Sequence, residues 1–174
     1  MSFLRRLFPA SPEPEARPLQ PGRPAPDFRL PATGGPIRLS EWRGRPVILA
    51  FYPADETPVC GSQLALYNEV LPMFEEFDAR LAGISVDSLR SHERFASALG
   101  LKFPLLSDAD PQGAVAAAYG VFRPKDRVAE RALFVIDQEG TIAWSAVSPM
   151  GVNPGADGVL QALESLPRTQ KGSP

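Results

Sequence analysis

An unbroken apolar run of strand length constrains the fold of this chain more than any other feature. Residues 46–52 read Pro-Val-Ile-Leu-Ala-Phe-Tyr and contain no charged side chain. A strand with one solvent-exposed face alternates apolar and polar residues, whereas a strand covered on both faces has no need to alternate. The run therefore predicts a central strand in a sheet that has helices on both sides.

Helix and strand patterns alternate along the rest of the chain. Apolar residues recur three and four positions apart from Cys60 to Phe74, which predicts a helix, and Pro72 predicts a kink or break near Val70. The other expected elements are a strand at 81–86, a helix at 88–99 closed by Gly100, a short strand at 104–106, a short helix at 112–119, a β-hairpin of 132–137 and 141–147, and a helix at 156–166. This order predicts a three-layer α/β domain with a central mixed β-sheet flanked by helices.

The two ends of the chain differ in composition from its middle. Nine of the 20 prolines lie in residues 1–36, and the first part of this stretch has little to bury. Residues 1–21 are therefore expected to form a flexible, Pro-rich leader, and residues 168–174 a flexible C-terminal tail. This interpretation leaves residues 22–167 as the folded domain.

Charge and hydropathy exclude several classes of function. A formal net charge of −2 does not favour binding to nucleic acid or to an anionic membrane surface. No segment reaches the roughly 18 to 20 apolar residues of a membrane helix, and no signal-peptide pattern follows Met1. A cytoplasmic location without stable membrane association is therefore expected. A short amphipathic anchor at residues 3–8 is the alternative to a disordered start.

Cys60 is the only cysteine, and it follows the central strand. Residues 53–60 read Pro-Ala-Asp-Glu-Thr-Pro-Val-Cys, and Pro58 suits the first turn of a helix, so Cys60 is expected in that turn. Functional groups of α/β sheets gather beyond the carboxyl ends of the strands. The helix dipole and the free N–H groups there favour the thiolate form of a cysteine. A buried cysteine that acts only as a small hydrophobic residue is the alternative, and position alone does not separate the two.

Several motifs together resemble those of the peroxiredoxin (AhpC/TSA) family. Pro53, Thr57 and Cys60 fit the Pro-x-x-x-Thr-x-x-Cys active-site loop of that family, and Gln63 stands where the family has Glu or Gln. Residues 131–137, Arg-Ala-Leu-Phe-Val-Ile-Asp, resemble the strand that carries the family's catalytic arginine. The segments at 22–30 and 42–46 are also similar to the family pattern. The similarity runs from about residue 21 to residue 166, and it implies a thioredoxin-like fold without a cofactor.

The resemblance implies a peroxidase whose Cys60 attacks hydrogen peroxide or an organic hydroperoxide and becomes a sulfenic acid. It implies that Arg131 stabilises the thiolate and the breaking O–O bond, that Thr57 directs its hydroxyl to the reacting atoms, and that Pro53 shields the pocket from water. Thr57 as a helix N-cap alone, and Arg131 as a surface charge, are the alternative interpretations. Gln63 is expected to support the helix or to bind Arg131.

Other polar residues are not expected to take part in the chemistry. Asp55 and Glu56 are interpreted as solvated loop charges, with a general acid/base pair as the alternative. His92, the only histidine, lies in a polar helical segment, and the resemblance places it on a peripheral helix. A Cys-His hydrolase, which needs a histidine beside Cys60, is therefore rejected. No His/Cys cluster has the spacing of metal ligands, so no metal is expected. A dithiol oxidoreductase is excluded because Gln63 stands where Cys-x-x-Cys needs its second cysteine.

The loop is most like that of the bacterioferritin-comigratory, or PrxQ, subfamily. Many of these proteins have a resolving cysteine five residues after the first, but this chain has Ala65 there and no second cysteine. The resemblance therefore implies a one-cysteine mechanism, in which an external thiol recycles Cys60: thioredoxin, glutaredoxin with glutathione, or another low-molecular-weight thiol. The alternative function is a peroxide sensor or redox relay that passes its oxidation to a partner. A monomer or a homodimer is expected.

Overall fold

The computed structural model describes residues 16–168 and has a five-stranded mixed sheet at its centre. The strands are β1 Arg29–Leu30, β2 Ile37–Arg38, β3 Val47–Phe51, β4 Arg80–Ser85, β5 Leu105–Ser107, β6 Phe122–Arg123, β7 Val128–Ala129, β8 Arg131–Ile136 and β9 Ile142–Ser148. The helices are α1 Pro58–Glu75, α2 Leu89–Leu99, α3 Ala114–Ala118 and α4 Asp157–Glu164, with a 3-10 helix at Leu39–Trp42.

Strand β3 occupies the middle of the central sheet, whose order is β5-β4-β3-β8-β9. The pairs β3–β4 and β4–β5 are parallel, whereas β8 pairs antiparallel with both β3 and β9. All five residues of β3 are buried. The predicted central strand and the mixed sheet are therefore confirmed.

Side chains of β3 alternate between two hydrophobic clusters, one on each face of the sheet. Ile48 and Ala50 pack in the cluster to which α1 and α4 contribute. Val47, Leu49 and Phe51 pack in the other, which includes residues of α3 and of the chain before β3. The sheet is thus the middle of three layers, as the order of the elements predicts.

Helix α1 continues through Pro72 to Glu75, so the break that was the alternative to a kink near Val70 is absent. Pro72 lies in the last turn of α1, where its missing N–H removes a single hydrogen bond close to the end of the helix. Its carbonyl still accepts a hydrogen bond from the Glu76 N–H at 3.2 Å, so the last turn keeps its form.

The other predicted elements are present, with bounds that differ by one or two residues. Helix α2 begins after Ser88, whose hydroxyl accepts a hydrogen bond from the Ser91 N–H at 3.2 Å. It ends at Gly100, which has the left-handed φ of 60° that favours glycine at this position. The pairs β1–β2 and β6–β7 were not predicted, because strands of two residues are too short to show a period.

Part of the predicted leader lies against the folded domain. The Leu19 N–H donates to the Tyr119 carbonyl at 3.1 Å, and the Ser145 hydroxyl donates to the Leu19 carbonyl at 3.0 Å. Residues 1–15, with the segment considered as an anchor, and residues 169–174 lie outside the described residues. The division into leader, domain and tail stays a prediction. None of the helices described combines the length and the apolar character needed to cross a bilayer.

Candidate active site

The candidate site lies where β3 ends and α1 begins. Residues 52–57 connect the two elements, and Cys60 is the third residue of α1. It therefore lies in the first turn of the helix, as predicted, after a Pro58 whose missing N–H would have no partner within the helix. Cys60 is a free cysteine, and its side chain is fully buried.

Arg131, the first residue of β8, reaches Cys60 from the neighbouring strand. Ala132 pairs with Phe51 across the antiparallel β3–β8 ladder, so the start of β8 lies beside the end of β3. The Arg131 Nη1 and Nη2 atoms donate to the Cys60 Sγ atom at 3.5 and 3.4 Å. Only 2% of Arg131 is exposed, so its interpretation as a surface charge is wrong.

Two further acceptors fix the guanidinium of Arg131. Nη1 donates to Gln63 Oε1 at 2.8 Å, while Nε and Nη2 donate to the Met150 carbonyl at 3.1 and 2.7 Å. Gln63 in turn donates to the Tyr67 hydroxyl at 3.2 Å, and Tyr67 donates to the Gly155 carbonyl at 3.0 Å. All five N–H groups of the guanidinium therefore have an acceptor. The expected contact between Gln63 and Arg131 is present.

Burial raises the pKa of Tyr67 to about 12, although Gln63 and Arg131 act in the opposite direction. Tyr67 is therefore a neutral hydroxyl at physiological pH. It lies four residues after Gln63 on the same face of α1, but its place in the site was not predicted, because an aromatic residue at helical spacing is equally typical of a core position.

Thr57 and Pro53 belong to the loop that precedes Cys60. Thr57 stands at the N-cap position of α1, but its side chain makes no capping hydrogen bond to the helix. Its hydroxyl donates instead to the Ala54 carbonyl at 3.3 Å, so the interpretation of Thr57 as an N-cap alone is not supported. Pro53 is half-buried. What both residues do toward a peroxide stays a prediction.

A second group of buried polar side chains adjoins the same loop. Asp55 accepts hydrogen bonds from the Tyr52 hydroxyl at 2.7 Å and the Ser91 hydroxyl at 2.8 Å. Its Oδ2 and Oδ1 atoms lie 2.8 and 3.1 Å from Nδ1 of His92, and Nε2 of His92 lies 3.0 Å from the Leu106 carbonyl. Asp55 is thus a buried residue and not a solvated loop charge.

The prediction for His92 is also wrong, since this side chain is fully buried and does not lie on an exposed polar face. His92 precedes the buried Phe95 by three positions, so both lie on the inner face of α2. That spacing is the signal that could have placed His92 inside the protein. Glu56, in contrast, is exposed as predicted.

The charge state of Asp55 follows from opposing effects. Burial alone would raise the pKa of Asp55, but hydrogen bonds from His92, Tyr52 and Ser91 outweigh this effect and hold the pKa below its ordinary value of 3.8. Burial and the negative charge of Asp55 raise the pKa of Tyr52 well above 10. At neutral pH, Asp55 is therefore a carboxylate and Tyr52 a neutral donor.

Fold and site together define a class of protein. A mixed sheet between helical layers, with a cysteine in the first turn of the helix after its central strand, is a thioredoxin-like thiol site, and here the thiol faces a buried arginine. Residues 21–145 match the model of the AhpC/TSA family, and the chain belongs to this family, whose members are the peroxiredoxins, a family of thiol-dependent peroxidases.

Individual relatives agree with this assignment. The chain is 35% identical over 162 residues to a chloroplastic 2-Cys peroxiredoxin BAS1 of Hordeum vulgare, an alignment that covers 86% of this chain and 76% of that protein. The crystal structure of peroxidoxin BcpB from Mycobacterium tuberculosis is 35% identical, with a TM-score of 0.76 over 86% of this chain and 99% of that one. Peroxiredoxin Q of Xanthomonas campestris is 31% identical, with a TM-score of 0.71 over 79% and 90%. The recognised family and the thioredoxin-like fold are confirmed.

The described residues contain no group of three or more His, Cys, Asp or Glu side chains arranged to hold a metal ion. Within residues 16–168, every buried side-chain nitrogen or oxygen atom has a hydrogen-bond partner.

Proposed function

We propose that the protein is a peroxidase that reduces hydrogen peroxide and organic hydroperoxides through Cys60. The contact between Cys60 and Arg131 carries this proposal, because it sets a guanidinium 3.4 to 3.5 Å from a fully buried sulfur. The other acceptors of this guanidinium, Gln63 and the Met150 carbonyl, are neutral. A buried positive charge needs a negative partner, so the arrangement supports the thiolate form of Cys60, which is the nucleophile.

The proposed reaction begins with attack of the Cys60 thiolate on one oxygen of the peroxide. An S–O bond forms while the O–O bond breaks, so sulfur is oxidised to sulfenic acid and the peroxide is reduced. The second oxygen leaves with the electron pair and takes up a proton, giving water or an alcohol. Negative charge thus moves from sulfur to the departing oxygen, and the N–H groups of Arg131 stabilise it there.

Three other residues have proposed supporting roles. Thr57 directs its hydroxyl toward the peroxide, a role supported by its position three residues before Cys60 and by the missing capping bond to α1. Pro53 limits access of water without adding a competing N–H donor. Gln63 holds Arg131 through the 2.8 Å hydrogen bond to its Nη1 atom.

We propose a one-cysteine cycle for the return of Cys60 to the thiol. Ala65, where a resolving cysteine would stand, is exposed on α1, and the chain has no second cysteine. An external thiol therefore attacks the sulfenic acid and releases water, and a second thiol breaks the mixed disulfide. Thioredoxin, glutaredoxin with glutathione, and other low-molecular-weight thiols are the candidate donors. Such donors are reduced in the cytoplasm, which is the proposed location, and the proposed assembly is a monomer or a homodimer.

A reductant panel tests the proposal. The purified protein is mixed with hydrogen peroxide or an organic hydroperoxide and each of the three donor systems, and peroxide loss is followed while mass spectrometry reports the state of Cys60. We expect many turnovers with at least one donor, and none in Cys60→Ser. Unchanged turnover in Cys60→Ser would refute the proposal, whereas a single turnover followed by arrest with every donor would favour a sensor or relay.

A further inference from the structure

The loop between β3 and α1 is attached to α2 and β5 through Asp55 and His92. The carboxylate of Asp55 contacts Nδ1 of His92 with both oxygen atoms, at 2.8 and 3.1 Å, and His92 reaches the Leu106 carbonyl with Nε2 at 3.0 Å. Both side chains are buried, with 2% of the Asp55 side chain and none of the His92 side chain exposed. The loop that precedes Cys60 is therefore attached to two neighbouring elements inside the protein.

The proton positions on His92 follow from these partners. A backbone carbonyl only accepts hydrogen bonds, so Nε2, which faces Leu106, carries a proton. A carboxylate also only accepts, so Nδ1, which faces Asp55, carries one as well. The Tyr52 hydroxyl, 3.4 Å from Nδ1, uses its own proton for Asp55 at 2.7 Å. Both ring nitrogens of His92 thus face acceptors, an arrangement that the imidazolium form satisfies with Asp55 as its counter-charge.

Other carboxylates near this pair have other donors. Asp87, which follows β4, accepts the backbone N–H of Asp55 at 2.9 Å. Asp108, which follows β5, accepts the N–H groups of Val115 and Ala116 at 3.1 and 2.9 Å. Among residues 16–168, the ion pair of His92 is therefore with Asp55.

The backbone after Asp55 turns sharply toward α1. Glu56 has a φ of 59°, in the left-handed region that residues other than glycine adopt infrequently, so this turn persists only where its surroundings fix it. Asp55, immediately before the turn, is held through its side chain and through its own N–H. Thr57, immediately after it, closes back on Ala54 and leads into the first turn of α1.

We propose that the buried pair of His92 imidazolium and Asp55 carboxylate positions residues 53–57, and through them Cys60, for attack on the peroxide. Among the hydrogen bonds of the described residues, none joins His92 or Asp55 to the sulfur or to its arginine, so both are positioning residues and not catalytic ones. The inference deepens the proposed peroxidase function and rests on it.

Nitrogen-15 NMR of the imidazole tests the charge state directly. His92 is the only histidine in the chain, so an untagged protein gives a single pair of ring signals. We expect both nitrogens of the reduced wild-type protein to be protonated at neutral pH. In Asp55→Asn, Nδ1 loses its proton, since the neutral side chain no longer balances the charge of a buried imidazolium. Glu56→Gln, one residue along the same loop and exposed, leaves both signals unchanged. An unprotonated nitrogen in the wild type overturns the inference.

Rate measurements test the positioning role. The rate constant for oxidation of Cys60 by hydrogen peroxide is expected to fall by about 10- to 100-fold in Asp55→Asn, the size of effect that small misplacements of reacting groups produce. Alkylation of Cys60 by iodoacetamide needs the thiolate but not the peroxide geometry, so its rate falls much less. His92→Gln, which has one donor group in place of two, is expected to change the ratio of the two rates in the same way. This variant replaces Asp55→Asn in the test if Asp55→Asn does not fold.

The possible outcomes separate this inference from the function on which it rests. Equal falls in both rates, in step with a lower melting temperature, would mean that the pair only stabilises the fold. An unchanged peroxide rate in Asp55→Asn, with a reactive wild type, overturns the inference and leaves the proposed function intact. A wild-type Cys60 that does not react with peroxide overturns both.

Discussion

Replacement of Arg131 by lysine keeps the positive charge but changes the number and direction of its donors. The guanidinium has five N–H groups, and each has an acceptor: two point to the Cys60 sulfur, two to the Met150 carbonyl and one to Gln63. A lysine ammonium has three N–H groups on one atom, so it cannot contact all three partners in this geometry. At least two of the five hydrogen bonds are lost.

The expected size of the effect follows from those losses. Loss of one preorganised donor at a site of developing charge typically lowers the rate by about 10²- to 10³-fold, or about 2.7 to 4 kcal/mol. We therefore expect the rate constant for oxidation of Cys60 by hydrogen peroxide to fall by about 10²-fold in Arg131→Lys and by about 10³-fold or more in Arg131→Met, which also removes the charge.

The assay mixes reduced protein with excess hydrogen peroxide in a stopped-flow instrument, and mass spectrometry of quenched samples follows the Cys60 thiol. Arg123→Lys is the matched control. Arg123 is an arginine of β6 whose guanidinium contacts Asp126 and Glu130 at the surface, and its replacement should leave the rate unchanged. A folded Arg131→Lys variant that reacts at the wild-type rate would refute the reasoning, because the fixed guanidinium geometry would then be irrelevant to the chemistry.

Three further predictions concern stability. Tyr67→Phe leaves the Gly155 carbonyl without its 3.0 Å donor, so urea denaturation should show a loss of about 1 kcal/mol. Gly83→Ala places a methyl group 2.7 Å from Leu105 Cδ2 and 3.3 Å from Tyr52 Cε1 in the core, and the same assay should show a loss of about 1 to 3 kcal/mol. The folded pKa of Asp55 lies below 3.8, so its contribution to stability is present above that pH and is lost as the pH falls through the folded value. Below pH 3.8, the free energy of unfolding should therefore depend less on pH in Asp55→Asn than in the wild type, and acid denaturation measures both. An equal dependence on pH in the two proteins would contradict this assignment.

The layered fold could be predicted from the sequence because its strongest signal is local. The unbroken run at β3 and the hairpin of β8 and β9 depend on side chains close in the chain, and both are present. Pro72 shows the limit of a local rule, since its effect depends on how near the helix end lies. Strands of two residues, such as β1 and β6, are too short to show a period even though their partners β2 and β7 lie nearby in the chain.

The candidate site also has a part that local patterns predict and a part that they do not. Cys60 could be placed in its helical turn from the neighbouring residues, but pattern alone does not bring Arg131 to it, because that contact depends on the antiparallel pairing of β8 with β3. The expectation that Arg131 contacts Cys60 came from the resemblance to the peroxiredoxin family. The predictions for Asp55 and His92 were wrong because a sequence pattern treats a polar side chain as exposed. Each of these two side chains provides the partner that allows the other to be buried.

All five N–H groups of Arg131 already have acceptors, and this affects how the departing oxygen is stabilised in the proposed reaction. No N–H of this guanidinium is spare, so a departing peroxide oxygen gains a hydrogen bond only when another acceptor gives one up. The acceptor that weakens as the S–O bond forms is the sulfur, since it loses its negative charge in that step. In the proposed reaction the guanidinium therefore keeps the same number of hydrogen bonds, and the proposed role of Arg131 is an exchange of acceptors at a fixed donor.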